Sequence, residues 1–116
     1  ITGDKVTAVE PEDAETLPEM TQLEQNYPNP FNASTILPFN LNAAGIWQLA
    51  IYDLKGQRIR LINTGHLNTG YHQVAWDGTD TEGRTVASGV YVYTMHNTSP
   101  GTGGDVIQSK KMVLLR

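Results

Sequence analysis

Between residues 34 and 116 the chain alternates short runs of β-branched and aromatic residues with turn signals, and no long window keeps a helical period. Residues 34–41 put Leu37, Phe39 and Leu41 on one face; residues 46–52 do the same with Trp47, Leu49 and Ile51. Successive side chains of a strand point to opposite faces, so an apolar residue at every second position makes one buried face. Residues 57–62, 71–76, 89–96 and 105–115 continue the series, with Val74 and Trp76 inward in one run and Tyr91, Tyr93 and Met95 inward in another. The intervals hold Asp53-Leu54-Lys55-Gly56, Asn68-Thr69-Gly70, a polar loop at 77–83 and a soft loop at 97–104. Asp braces a turn through neighbouring amides, and Gly takes positive φ freely. About seven short strands at this spacing predict a two-sheet antiparallel sandwich.

Two details refine that expectation. Pro38 cannot donate a ladder bond, which predicts an edge position for residues 34–41. The last run is irregular near Lys110-Lys111, which predicts a bulge there.

The 116 residues suit one domain. With no cysteine, disulfides, thiolate metal sites and cysteine nucleophiles are excluded. Residues 1–22 hold six of the twelve acids and one base, whereas residues 23–116 hold six acids and seven bases. A near-neutral body with an acidic leader offers no basic footprint for nucleic acid. No apolar run reaches the roughly 20 residues that span a bilayer. The leader at 1–22 is poor in apolar residues, which disfavours independent order. Its segment Lys5-Val6-Thr7-Ala8-Val9 is β-prone and suits addition to a sheet edge, in cis or in trans. A chain opening at Ile1 is expected to be a processed piece of something longer.

Residues 26–32, Asn26-Tyr27-Pro28-Asn29-Pro30-Phe31-Asn32, form a rigid turn. Both prolines restrict φ, and Tyr27 and Phe31 are expected to point inward as anchors. The stretch Leu23–Asn32 resembles the opening of type IX secretion C-terminal sorting domains. Tyr52-Asp53-Leu54-Lys55-Gly56-Gln57-Arg58 resembles their middle motif. Trp76-Asp77-Gly78, Gly83-Arg84 and Ser88-Gly89-Val90-Tyr91 resemble the third block, and Lys110–Arg116 the terminal one. The same blocks are similar to the related Ig-like domain of flagellar hook-capping proteins. The longer final loop at 97–104 and the acidic leader depart from the pattern.

The resemblance implies an Ig-like β-sandwich at 23–116 that is secreted and non-catalytic. It would follow a covalently linked cargo domain and be read at the bacterial cell surface by an outer-membrane translocon or attachment machinery. Within it, Pro28, Asn29, Pro30, Phe31, Asp53, Gly56, Trp76 and Gly89 would set shape. Lys110, Lys111, Met112, Val113, Leu114, Leu115 and Arg116 would be the stretch contacted directly.

Other chemistry is weaker. Asp77, Asp80 and Glu82 on one loop are a candidate calcium set, but their spacing departs from the EF-hand pattern and suits a plain turn. His66, His72 and His96 have no metal-ligand spacing and read as isolated solvent-facing residues. Ser88 lacks a nucleophile elbow, so hydrolase chemistry is not expected. No cofactor is implied. Trp47, Trp76, Tyr52, Tyr91 and Tyr93 alternate within strands and read as core, with a carbohydrate face as the minority alternative. A further alternative is a structural subunit that polymerises by donating Lys5–Val9 to the next copy.

Overall fold

The computed structural model describes residues 20–101 and 106–116. The expected donor strand Lys5–Val9 lies outside them. Seven strands follow in order: β1 (Gln22–Leu23), β2 (Thr35–Leu41), β3 (Gly45–Tyr52), β4 (Arg58–Leu67), β5 (Gly70–Trp76), β6 (Gly89–Asn97) and β7 (Val106–Leu114). They form a three-stranded sheet, β1-β2-β5, and a four-stranded sheet, β4-β3-β6-β7, with every strand pair antiparallel. The expected all-β sandwich is therefore present, with no helix among the described residues.

The alternation decides the core. Leu37, Phe39 and Leu41 of β2 meet Trp47, Leu49 and Ile51 of β3, and Tyr91, Tyr93 and Met95 of β6, all buried. Met112 and Leu114 complete the core from β7 and are fully buried. The aromatics read as core are mostly that: Trp47, Trp76, Tyr91 and Tyr93 are buried and make no platform, while Tyr52 is half-buried.

Five local expectations are corrected. β2 is the middle strand of its sheet, not an edge. The Pro38 carbonyl accepts from the Glu24 amide at 2.9 Å, so the missing Pro38 N–H faces β1, not β5. The pairing with β5 therefore loses no bond. The Glu24 carbonyl, deprived of a proline donor, accepts instead from the Tyr93 hydroxyl across the sandwich at 2.6 Å. Burial pushes the Tyr93 phenol up to about 12. Tyr93→Phe is expected to cost about 1–3 kcal/mol by orphaning that acceptor. Urea unfolding at constant m-value checks it.

Tyr27 points outward and is half exposed: its own backbone exchanges both bonds with Ile36, and its ring lies on the outer face, where the hydroxyl accepts from the Gln73 side chain at 2.6 Å. The bulge in β7 lies between Val106 and Gln108, opposite His96 and Met95, not at Lys110-Lys111. β4 runs on to Leu67, five residues beyond the expected end at 62, since the register shift at Trp47/Gln48, which leaves Thr64 as the extra residue, lets the ladder continue. Of the histidines, His66 is exposed, but His72 stacks on Phe39 at 5.7 Å and His96 contacts the Thr94 hydroxyl. Alternation turns those two rings onto neighbours, not into solvent.

Candidate functional site

The motif residues, scattered through the sequence, are gathered by the fold. The rigid turn at 28–32 lies against the end of β7. Phe31 and Leu114 form a parallel bridge, with the Phe31 amide donating to the Val113 carbonyl at 3.0 Å and the Leu115 amide to the Phe31 carbonyl at 2.8 Å. The Asn29 side chain accepts from the Val113 amide at 2.9 Å, and the Gln25 side chain donates to the Lys111 carbonyl at 2.7 Å. Residues 25–31 thus act as a cover on the outer edge of β7.

Beneath this cover the Phe31 ring is buried. It meets Trp76 at 5.7 Å, and Trp76 meets Tyr91 edge-on at 5.7 Å. Such tilted contacts suit the ring quadrupoles. The Trp76 indole donates to the Thr79 carbonyl at 2.9 Å. The Tyr91 hydroxyl donates to the Ala87 carbonyl; burial, then the nearby Asp53 charge, raises its pKa.

Arg116 closes the same pole. Its amide donates to the Ser88 hydroxyl, its Nε to the Val86 carbonyl and its Nη2 to the Gly78 carbonyl, all within 2.9 Å. Gly78 has φ +73, and a Cβ there would stand 2.6 Å from Arg116 Nη2. Asp53 braces the neighbouring turn, accepting from the amides of Lys55 and Gln57, and Gly56 completes it at φ +86. Gly89 opens β6 opposite Leu114.

What remains for a partner is narrow. Met112 and Leu114 are buried and Arg116 is engaged with backbone carbonyls, so they are structural elements of the pole. Lys110 and Lys111 are exposed, and Leu115 is 56% exposed. Leu115 lines a shallow cavity of about 340 Å³ with Pro28, Pro30, Phe31 and Asn32. The exposed apolar side chain therefore stands at the end of β7, with Lys111 and Lys110 exposed four and five residues back along the strand.

The loop at 77–83 uses its carboxylates internally. Asp80 accepts from the amides of Glu82 and Arg84 and pairs with Arg84 Nε at 3.0 Å; Glu82 reaches Arg84 at 3.3 Å. The Arg84 amide, opposed by desolvation, holds the Asp80 carboxyl below its ordinary range. Asp77 is lowered chiefly by the Thr79 hydroxyl. Asp77, Asp80 and Glu82 are thus committed to the turn, and no group of metal-ligating side chains forms among the described residues.

Sequence reasoning passed over Asn26 and Thr35. Both are buried. The Asn26 amide donates to the Thr35 hydroxyl at 3.0 Å and to the Pro28 carbonyl at 3.2 Å, and the Thr35 hydroxyl donates to the same carbonyl at 2.9 Å. They hold the turn in shape from within. Their signal was an Asn directly ahead of a double-proline turn.

This arrangement can be set beside known proteins. The model of the FlgD Ig-like domain family matches residues 34–101, more than half of the chain. The chain belongs to the FlgD Ig-like domain family. The basal-body rod modification protein FlgD of Escherichia coli is 35% identical to this FlgD-type domain over 72 residues, covering 60% of the chain and 31% of that protein. The domain thus spans less than a third of the curated relative's length. Dimeric latent PorU from Porphyromonas gingivalis superposes with a TM-score of 0.73 at 22% identity, over 93% of this chain and 10% of that one. PorZ, described as a surface component of the type IX secretion system of the same bacterium, gives 0.53 at 22% identity, over 79% and 11%. These likenesses show that the FlgD-type fold also occurs as a small part of larger chains.

Proposed function

We propose that this FlgD-type domain is a non-catalytic sorting and surface-attachment module, recognised by protein contact at the pole formed by residues 28–32 and the end of β7. The observation that supports the reading is the buried bridge between Phe31 and Leu114, which brings the opening and terminal motifs to one pole. The exposed Leu115, with Lys111 and Lys110 exposed further back along β7, suits a partner that offers an apolar contact and acidic groups beyond it. The cargo would be linked upstream, and the partner would be an outer-membrane secretion or attachment machinery. The fold likeness to parts of PorU and PorZ supports this assignment.

The full chain, fused behind a periplasmic reporter in a bacterium with type IX secretion, is expected to carry the reporter to the cell surface. The triple variant Lys110→Glu, Lys111→Glu, Leu115→Glu is expected to stay in the periplasm while keeping the wild-type unfolding midpoint. A wild-type fusion that never reaches the surface, or a folded variant delivered equally well, would overturn the reading.

A further inference from the structure

Four strands end the two sheets, and three of them are protected against pairing. β1 is two residues long. β7 is covered by residues 25–31 and carries Lys110 and Lys111. β4 carries Arg58 and Arg60 and shifts register twice against β3; its start is covered where the Thr81 amide donates to the Ile59 carbonyl. Short length, charge, irregularity and covering are the usual means by which proteins blunt strand edges.

Among the described residues β5 has none of these. Gly70-Tyr71-His72-Gln73-Val74-Ala75-Trp76 contains no charged residue and no proline, and its register with β2 is unbroken over seven pairs. Its other side has no strand partner among the described residues.

The direction of its backbone groups follows from β2. Ile36 exchanges both bonds with Tyr27, and Pro38 accepts from Glu24, so the even residues of β2 face β1. The odd ones face β5, and Leu37 and Phe39 pair there with Val74 and His72. Within an antiparallel ladder, bonded and non-bonded pairs alternate. The N–H and C=O groups of Tyr71, Gln73 and Ala75 therefore point out of the sheet edge. The side chains of these three residues stand on the outer face and are exposed.

We propose that β5 pairs antiparallel with β5 of a second copy of this chain, about a two-fold axis through Gln73. In this register Gln73 faces Gln73 and Tyr71 faces Ala75 of the second copy. Each pair exchanges both backbone bonds, so the outward groups of both edges are satisfied. A large ring meets a small side chain, and two uncharged Gln73 side chains, each already donating to the Tyr27 and Tyr71 hydroxyls of its own copy, meet on the axis. The strand is neutral, so two copies of net charge −4 meet without like charges opposed at the seam. The two three-stranded sheets become one continuous sheet. The pole at Leu115 is not involved, so this pairing stands independently of the sorting reading.

Sedimentation of the full chain over a concentration series tests it. Wild type is expected to show a monomer–dimer equilibrium. Gln73→Lys and Gln73→Glu each oppose like charges on the axis and should weaken association about five-fold. An equimolar mixture of the two should restore it, because Lys then faces Glu. Gln73→Pro should abolish the dimer with only a small fall in unfolding midpoint, since the Gln73 backbone N–H makes no bond to β2 and the side-chain bonds it loses, to the Tyr27 and Tyr71 hydroxyls, are exposed. A wild-type chain that sediments as a monomer throughout would overturn the proposal. So would a mixture no better than its components. So would a dimer that survives Gln73→Pro and disappears when residues 1–19 are deleted, which would assign association to the leader.

Discussion

Deleting Lys110–Arg116 is expected to unfold the domain. Met112 and Leu114 are both fully buried, and truncation of such residues to alanine typically costs about 2–5 kcal/mol each. The deletion also removes the Phe31 bridge and the three bonds of Arg116. Domains of this size have only about 5–15 kcal/mol to lose. Near-ultraviolet circular dichroism of the deleted chain should show loss of fixed aromatic packing. A deleted chain that keeps the wild-type spectrum and a cooperative urea transition would mean that the pole does not depend on this strand end. The same deletion is thus a poor probe of sorting. Failure to reach the surface would report an unfolded domain as readily as a missing address, which is why the exposed triple variant is the cleaner experiment.

Phe31→Ala is expected to lower stability by about 3–5 kcal/mol. The ring is 2% exposed and sits under the double-proline turn, so its removal leaves a void where the turn meets Trp76. Once the ring is gone, the seat for Pro28–Asn32 goes with it, and the backbone bonds to Val113 and Leu115 lose their support. Urea unfolding of Phe31→Ala, Trp76→Leu and the double variant measures the coupling directly. An aromatic contact of this kind predicts about 0.5–1.5 kcal/mol. A loss below 1 kcal/mol for Phe31→Ala would show that the turn is held mainly by Asn26 and Thr35.

The inward faces of β2, β3 and β6 were legible because alternation is a local property and these strands are buried on one side. The turn at Asp53–Gly56 was legible for the same reason: its bracing bonds lie within four residues. Pro38 misled because a missing donor constrains only the side on which that donor would point. Here that side faces β1, whose last partner is a carbonyl satisfied from the other sheet by Tyr93. Tyr27 misled because its neighbour Phe31 supplies the anchor alone. The terminal stretch read as a contact surface, yet alternation divides it: Met112 and Leu114 go to the core, leaving Lys111 and Leu115 outside.

By itself the sequence determined the class of fold, the composition of the core and the shape of the tight turns. Each depends on periodicity or on a side chain bonding its own neighbourhood. Only the tertiary structure decided that the opening, third and terminal motifs share one pole, and that β5 ends its sheet with no strand partner on its outer side among the described residues. Those facts rest on which backbone groups face each other across residues far apart in the chain, and a strand's pattern of side chains does not say which of its edges has a partner.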